Sequence, residues 1–350
     1  VNGSSFSAGI AALTVHDAMA LFSVALGVHG LFVQAFAGTG QSFHPFVHEH
    51  KAHSGQLRVA KIMAGLTRGS SLCEETTGAP VAPAQLVQDR YGLRCLPQYL
   101  GPVLETLWEA RRWTERELNS ATDNPLIDSE NGRIYYCGNF LAEYVAIALD
   151  RIRHVLALTG KHLDVQSGWL MHPAFSRGLP ESLVGNPDRP VNMGLKALQL
   201  TSNSIVPLLE FYGQPLADRF VTHAEQFNQN VNSQSFGSAL LARRSLELFR
   251  HLLAASAIFA VQGVDLRAQR AASKATPGAM LSETTRPMYD AIRAVGGRDG
   301  HAGRPFVFND DDRPLDLSLD AIAADLEDDE GALMQAVRTL RTELEAEPGG

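Results

Sequence analysis

From residue 6 to residue 36 the chain is apolar almost all the way round a helical wheel, with alanine and glycine frequent among the larger side chains. That pattern predicts a long helix buried on every side, and Asn2-Gly-Ser-Ser5 ahead of it is a turn and capping signal. A second such stretch follows His223-Ala-Glu-Gln-Phe-Asn-Gln-Asn-Val-Asn-Ser-Gln234, where apolar residues return at helical spacing through Leu240, Leu241, Leu248, Phe249, Leu252, Leu253 and Phe259. This predicts a helix over 235–267. Its most apolar window, 252–261, is far shorter than the roughly 20 residues of a membrane span and reads as a core helix.

Between these two runs the period stays helical. Helices are expected over 56–68, over 103–118 with a half-exposed alternation, over 143–165 and over 196–212, and beyond the second run over 283–295, 317–326 and 331–345. Gly38-Thr-Gly40 ends the first helix; 41–55, 74–81, 119–126, 173–192, 273–281 and 296–304 carry the Gly, Pro, Asn and Asp of loops, and 128–133 reads as a turn. The proline at 97 predicts that 88–98 does not run on as one smooth helix. Strand signals are almost absent and nothing repeats every 20–50 residues. The expected class is mainly α, with long central helices packed as a bundle over 1–272 and a further helical region over 273–350.

Composition sharpens this picture only in places. With 350 residues, 45% of them hydrophobic and 19% charged, the chain can bury a large core. A net charge of -8 with scattered Lys and Arg offers no basic field to nucleic acid or an anionic membrane, and neither is an expected partner. Cys73, Cys95 and Cys137 show no Cys-x-x-Cys spacing, which argues against a disulfide framework or a zinc site and for a reducing cytoplasm. Val1 is no natural initiator and the first residues already resemble the inside of a fold, so a fragment of a longer protein is expected. Neither a phosphate-binding Gly loop nor a Gly-x-Ser-x-Gly elbow is present.

Three clusters carry candidate chemistry. Glu225, Gln226, Asn228, Gln229, Asn230, Asn232 and Gln234 are a dense set of amides and one carboxylate opening a helix that reads as buried. Amides taken out of water need partners, so they either clamp backbone at a crowded helix end or line a pocket. In Gln88-Asp-Arg-Tyr-Gly-Leu-Arg94, a guanidinium is the natural bidentate partner of a carboxylate, and Tyr91 and Arg94 share a face if the turn is helical. The other reading pairs Arg90 or Arg94 with a structural Asp. His44, His48, His50 and His53 suggest a metal, but only Glu49 is a nearby acid, and packing or surface roles are the expectation; Asp310-Asp-Asp312 likewise reads as a solvated cap.

Several motifs taken together resemble one family, the aromatic amino acid ammonia-lyases and aminomutases that use a 4-methylideneimidazol-5-one (MIO) group. They are Asn2-Gly3, Gly55-Gln56, Gln88 to Arg94, Asn124-Pro125, Gly138-Asn-Phe140, Asn192-Met-Gly-Leu-Lys196 and Ala224-Glu-Gln-Phe-Asn-Gln229. Within the family, Gln41-Ser-Phe-His-Pro45, Gln98-Tyr-Leu-Gly101, His223 to Gln234, Arg304-Pro305 and Asn309-Asp310 look closest to the cyanobacterial type of phenylalanine ammonia-lyase.

The resemblance implies a fumarase/aspartase-like helical architecture and a homotetramer whose active sites draw on several subunits. It implies elimination of ammonia from L-phenylalanine, or L-tyrosine, to give an arylacrylate. The position of Arg94 then holds the substrate carboxylate; Asn2, Gln88 and Tyr91 surround the electrophile and amine; Asn139 and Phe140 lie beside them; Lys196, Glu225 and Gln229 line the aryl side or approach the amine. A carboxylate such as Glu225 could take up a proton or orient the leaving ammonia. Two departures bear on this. No Ala-Ser-Gly, the tripeptide that cyclises to MIO, occurs in these 350 residues, so the chain alone is expected to be inactive. Cys137 stands where close relatives carry another glycine before Gly138-Asn139. A 2,3-aminomutase is the rival within the family, and a non-catalytic helical scaffold the rival outside it. A histidine lyase fits less well, since Asn228-Gln229 replaces an acidic environment for imidazole.

Overall fold

A computed structural model describes residues 3–74, 88–220, 223–271, 275–297 and 303–347. Asn2, nearly all of the expected loop 74–81 and parts of the expected connectors 273–281 and 296–304 lie outside the described residues. The first apolar run forms α1, Ser5–Ala35, and the second forms α8, Ser235–Arg270. Between them come α2 (Pro45–Glu49), α3 (Ser54–Thr67), α4 (Tyr91–Arg94), α5 (Leu96–Leu118), a hairpin of β1 (Leu126–Asp128) and β2 (Arg133–Tyr135), α6 (Glu143–Leu170) and α7 (Lys196–Tyr212). After α8 follow α9 (Pro277–Met280), α10 (Arg286–Val295), α11 (Leu315–Asp325), α12 (Ala332–Ala336) and α13 (Arg338–Glu345).

Two expectations need correcting. The histidine loop is partly helical, because His44 caps α2 through its Nδ1, which accepts from the Phe46 N–H at 3.2 Å, and Pro45 fits the first turn, where no N–H is needed. The stretch 88–98 is broken at Cys95, as expected, and Pro97 lies in the first turn of α5. The helix expected over 331–345 is two, parted at Val337, whose φ of -111° and ψ of 10° lie outside the helical region. Among the described residues one helix, α1, is long and apolar enough to cross a bilayer; its window has a mean hydropathy of 1.7 and is wholly buried.

The chain divides into two compact units. Unit 1 comprises Val1–Met19, Glu105–Leu158 and Pro207–Phe249; unit 2 comprises Ala20–Leu104, Thr159–Val206 and Arg250–Gly350. In unit 1, small residues let helices approach closely: Ala8 and Ala11 of α1, Ala142, Val145 and Leu149 at α6, and Ala239 and Ala242 of α8 form one buried cluster. Beside it the buried Asp150 carboxylate accepts from Ser238 Oγ at 2.7 Å, from the Leu216 and Ala217 N–H groups at 2.7 and 2.8 Å, and from Arg153. Arg153, fully buried, also donates to the Tyr212 and Gln214 carbonyls. These bonds satisfy most of a buried ion pair, only Arg153 Nε being left without a partner, and fix the exit from α7 towards the amide-rich stretch.

Unit 2 uses amides for the same purpose. Gln34 donates to Thr285 Oγ1 at 2.9 Å and accepts from the Ser282 N–H at 3.0 Å. Gln262 donates to the Leu183 and Val307 carbonyls and accepts from the Val307 N–H at 2.8 Å. Each makes the bonds that a buried amide requires, and each ties a long helix to the segment 275–307 or to residue 183.

Candidate active site

In unit 2 the chain arrives extended at Arg90, forms the single helical turn of α4, breaks at Cys95 and restarts as α5. Tyr91 and Arg94 do share a face: the Arg94 guanidinium carbon lies 4.7 Å from the centre of the Tyr91 ring, and Nη1 donates to Gln88 Oε1. The phenol projects outward, Tyr91 being 70% exposed. Gln88 and Arg94 line a recess of about 400 Å³ together with Gln98, Cys95 and Thr39. Arg94 Nε and Gln98 Oε1 are buried without a hydrogen-bond partner. A donor and an acceptor left unsatisfied at one recess are costly unless something polar binds there.

Among the described residues neither Arg90 nor Arg94 forms an ion pair with an aspartate, although, against the effect of burial, the Arg94 charge also lowers the Asp89 pKa. Arg90 stacks on Phe175 at 4.7 Å and faces Trp169 at 6.0 Å. Asp89 instead takes Arg177 Nη2 at 3.1 Å and the Thr39 N–H at 2.8 Å. Burial raises the Asp89 pKa, and these two donors oppose the rise. Arg177 was not a candidate, because a partner 88 residues away leaves no local pattern. Lys196 also belongs to unit 2; it opens α7, is exposed, and is not part of the recess.

Unit 1 holds a cleft of about 1180 Å³, and of the remaining described candidates Asn139 and Glu225 do not line it. Phe140 and Gln229 line it, as do Gly3, Asn124, Cys137 and the run 228–237. Gly3 is required there: its φ is +72°, and a Cβ would sit 2.3 Å from the Thr122 carbonyl. Asn124 Oδ1 accepts from the Cys137 N–H at 2.8 Å, and the Cys137 thiol donates to the Asp123 carbonyl at 3.4 Å, so this cysteine is held in the loop that supports Gly138 to Phe140. Asn139 donates to the Ala121 carbonyl at 3.2 Å. Glu225 accepts from Asn228 Nδ2 at 3.1 Å.

The amide-rich stretch does not lie buried. Residues 223–232 are exposed, and Glu225, Gln226 and Phe227 have φ values of 48°, 55° and 70°, a left-handed run that L residues adopt at a cost. Of the two roles open for these amides, both occur. Asn232 clamps the Gln234 N–H at 2.8 Å, whereas Asn228 to Gln234 face the cleft.

The four histidines between α1 and α3 divide among capping and packing. His48 is buried between the Ser42 carbonyl at 2.8 Å and Gln56 Nε2 at 3.0 Å, while His50 Nδ1 meets the Phe46 carbonyl at 2.7 Å and His53 precedes α3. Among the described residues no group of three His, Cys, Asp or Glu side chains could hold a metal ion.

Comparison with known proteins gives these units a context. The family described as aromatic amino acid lyase matches residues 1–294. A phenylalanine ammonia-lyase of Nostoc punctiforme is 47% identical over 99% of this chain and 61% of its own length. The crystal structure of a tyrosine aminomutase from Streptomyces globisporus superposes with a TM-score of 0.83 at 28% identity, covering 97% of this chain and 62% of that one. Histidine ammonia-lyase from Trypanosoma cruzi, at 22% identity, has the same fold, with a TM-score of 0.80 over 100% of this chain and 62% of its own. The architecture is thus the helical, fumarase-like one of these enzymes, and the chain spans about three fifths of the length of the relatives it matches. By the match over residues 1–294 and the 47% identity, the chain belongs to the aromatic amino acid lyase family.

Proposed function

We propose that the full-length protein eliminates ammonia from L-phenylalanine to give trans-cinnamate. The observation that carries this reading is the Arg94 guanidinium, set in a recess by Gln88 and Tyr91 with its Nε unsatisfied, in a chain 47% identical to a phenylalanine ammonia-lyase. A planar fork offers a substrate carboxylate two parallel charge-assisted bonds.

Ala-Ser-Gly is absent from this sequence, so we assign the MIO electrophile to sequence beyond these 350 residues. The residues present fit such a group: an exposed phenol at Tyr91, a side-chain amide at Gln88 and the unpaired carbonyl of Gln98 offer hydrogen bonds to a polar heterocycle and a bound amine. When bound, the electrophile makes the amino group a leaving group. The chain itself supplies the rest. Within unit 2, Arg94 fixes the carboxylate, Gln88 and Tyr91 hold the amine end, and Lys196 is assigned to the aryl side; within unit 1, Asn2 is assigned to the amine, Asn139 and Phe140 to packing, Gln229 to the aryl side, and Glu225 to accepting a proton or orienting the departing ammonia.

The test is direct. Full-length protein given L-phenylalanine, and separately L-tyrosine, is followed by arylacrylate absorbance in the near ultraviolet, with the products analysed for β-amino acid. Cinnamate is the expected product. A dominant β-amino acid would favour the 2,3-aminomutase reading, which the likeness to tyrosine aminomutase supports. No turnover by a folded protein would leave the scaffold.

We also propose that the protein assembles as a homotetramer. Unit 1 exposes Phe6 and Leu13 of α1, Leu208 and Phe211 of α7, and Phe236 and Leu240 of α8, each between 47% and 71% accessible. Large apolar side chains repeated along three helices suit burial against further copies of the chain. Light scattering on the full-length protein is expected to give the mass of four chains, and a monomer at working concentration would exclude it.

A further inference from the structure

The turn that carries Tyr91 and Arg94 is only four residues long, too short to hold itself in place. It is held from behind by α6. The Gly92 carbonyl accepts from His162 Nε2 at 2.9 Å and from Gln166 Nε2 at 2.7 Å, one helical turn apart. A carbonyl only accepts, so His162 carries its proton on Nε2, and Gln166 must turn its NH₂ towards Gly92. The Gln166 carbonyl then faces His29 Nδ1 at 2.7 Å, which must donate, and His29 fixes the amide in that orientation. The sequence allows this approach because residue 92 is glycine: a Cβ there would lie 3.1 Å from the Trp169 ring.

Both imidazoles are buried, and burial lowers their pKa, for His162 to about 4, so they stay neutral at neutral pH. His29 Nε2 and His162 Nδ1 have no hydrogen-bond partner. Two polar histidines and a glutamine buried at such cost, with their side-chain hydrogen bonds converging directly or at one remove on a single carbonyl, point to a role for that carbonyl.

We infer that His162 and Gln166, oriented by His29, are positioning residues that lock the Tyr91–Arg94 turn through the Gly92 carbonyl and so aim the Arg94 guanidinium at the substrate carboxylate. The inference rests on the reading of Arg94 as the carboxylate site. It deepens that reading by naming what holds the fork in register, since a displaced guanidinium loses bidentate geometry before it loses charge.

The test uses the full-length protein, with wild-type turnover of L-phenylalanine and its sensitivity to Arg94→Ala measured first. Failure of either control overturns the functional reading, and the inference with it. Gln166→Met and His162→Leu each remove one donor at similar size; His162→Gln keeps a donor at the same reach. Loss of one bond is expected to raise KM by roughly five- to tenfold with little change in kcat, and to weaken inhibition by cinnamate by the same factor. Inhibition by 2-phenylethylamine, which has no carboxylate, should not change. His162→Gln should restore KM, and Gln166→Met should add nothing in an Arg94→Ala background. Equal weakening of both inhibitors, additive effects with Arg94→Ala, or unchanged KM in correctly folded variants, with both controls intact, would overturn the inference alone.

Discussion

Arg94→Ala in the full-length protein is expected to lower kcat/KM for L-phenylalanine by roughly 10²–10³-fold, most of it through KM, because a desolvated charge pair broken on one side costs about 2–5 kcal/mol. The carboxylate is present in substrate and transition state alike, so its binding is largely uniform, and truncation appears in KM before kcat. The geometry sets the size of the effect. Arg94 rests on the Tyr91 ring, is anchored to Gln88, and keeps one buried N–H without a partner, so little ordering is left to be done when a carboxylate arrives. Arg94→Lys should recover the charge but not the fork, and lie between alanine and wild type. Steady-state kinetics of the three proteins, with melting curves to confirm folding, decide the matter. A change of less than about threefold for alanine would place the carboxylate elsewhere.

Much of the architecture was legible because its punctuation is local. The helix expected over 196–212 is α7 to the residue, set between the positive-φ turn at Gly194 and the glycine at 213. The break between α12 and α13 was not legible, since neither Gly nor Pro marks Val337. At Pro97 the break was legible but not its side, since proline stops a helix from within and starts one from its first turn, as Pro45 also does.

The site divides in the same way. The shared face of Tyr91 and Arg94 follows from a spacing of three, as does the Asp150–Arg153 pair, although nothing in that spacing announces that Arg153 is fully buried. The bond from Gln166 to Gly92 spans 74 residues, and that from Arg177 to Asp89 spans 88. Contacts at such separations are made by tertiary packing and have no counterpart in periodicity. Exposure of the amide run was missed because composition cannot separate an amide lining a cleft from one sealed in a core.

Asp265→Leu is expected to be the most damaging single substitution for unit 2, lowering stability by about 3–5 kcal/mol. Asp265 lies on α8, with its side chain 2% exposed, and its carboxylate accepts from the Tyr289 hydroxyl, from Arg293 and from the Phe306 N–H at 2.7 Å. One acceptor thus ties α8 to α10 and to the segment that follows it. Leucine has similar bulk, so the loss is that of three donors' common partner, not of volume. Replacing Arg293 with methionine as well should recover part of the loss, because an apolar pair asks nothing of the buried guanidinium. Chemical denaturation of wild type, both single variants and the double variant measures the coupling, and additive losses would dissolve the network. Its pH dependence has a definite sign. Burial pushes the Asp265 pKa up to about 6, against the opposing pull of Arg293 and Tyr289, while the unfolded value is about 4. Between those values the folded chain holds more protons than the unfolded one, so the contribution of Asp265 is greatest at the acid end and falls as pH rises through that window. The buried imidazoles of His29 and His162 have the reverse tendency, but they are common to both proteins and cancel in the difference. The stability gap between wild type and Asp265→Leu should therefore narrow from about pH 4.5 to about pH 7, and a gap that widened would mean that Arg293 and the two other donors outweigh burial at this carboxylate.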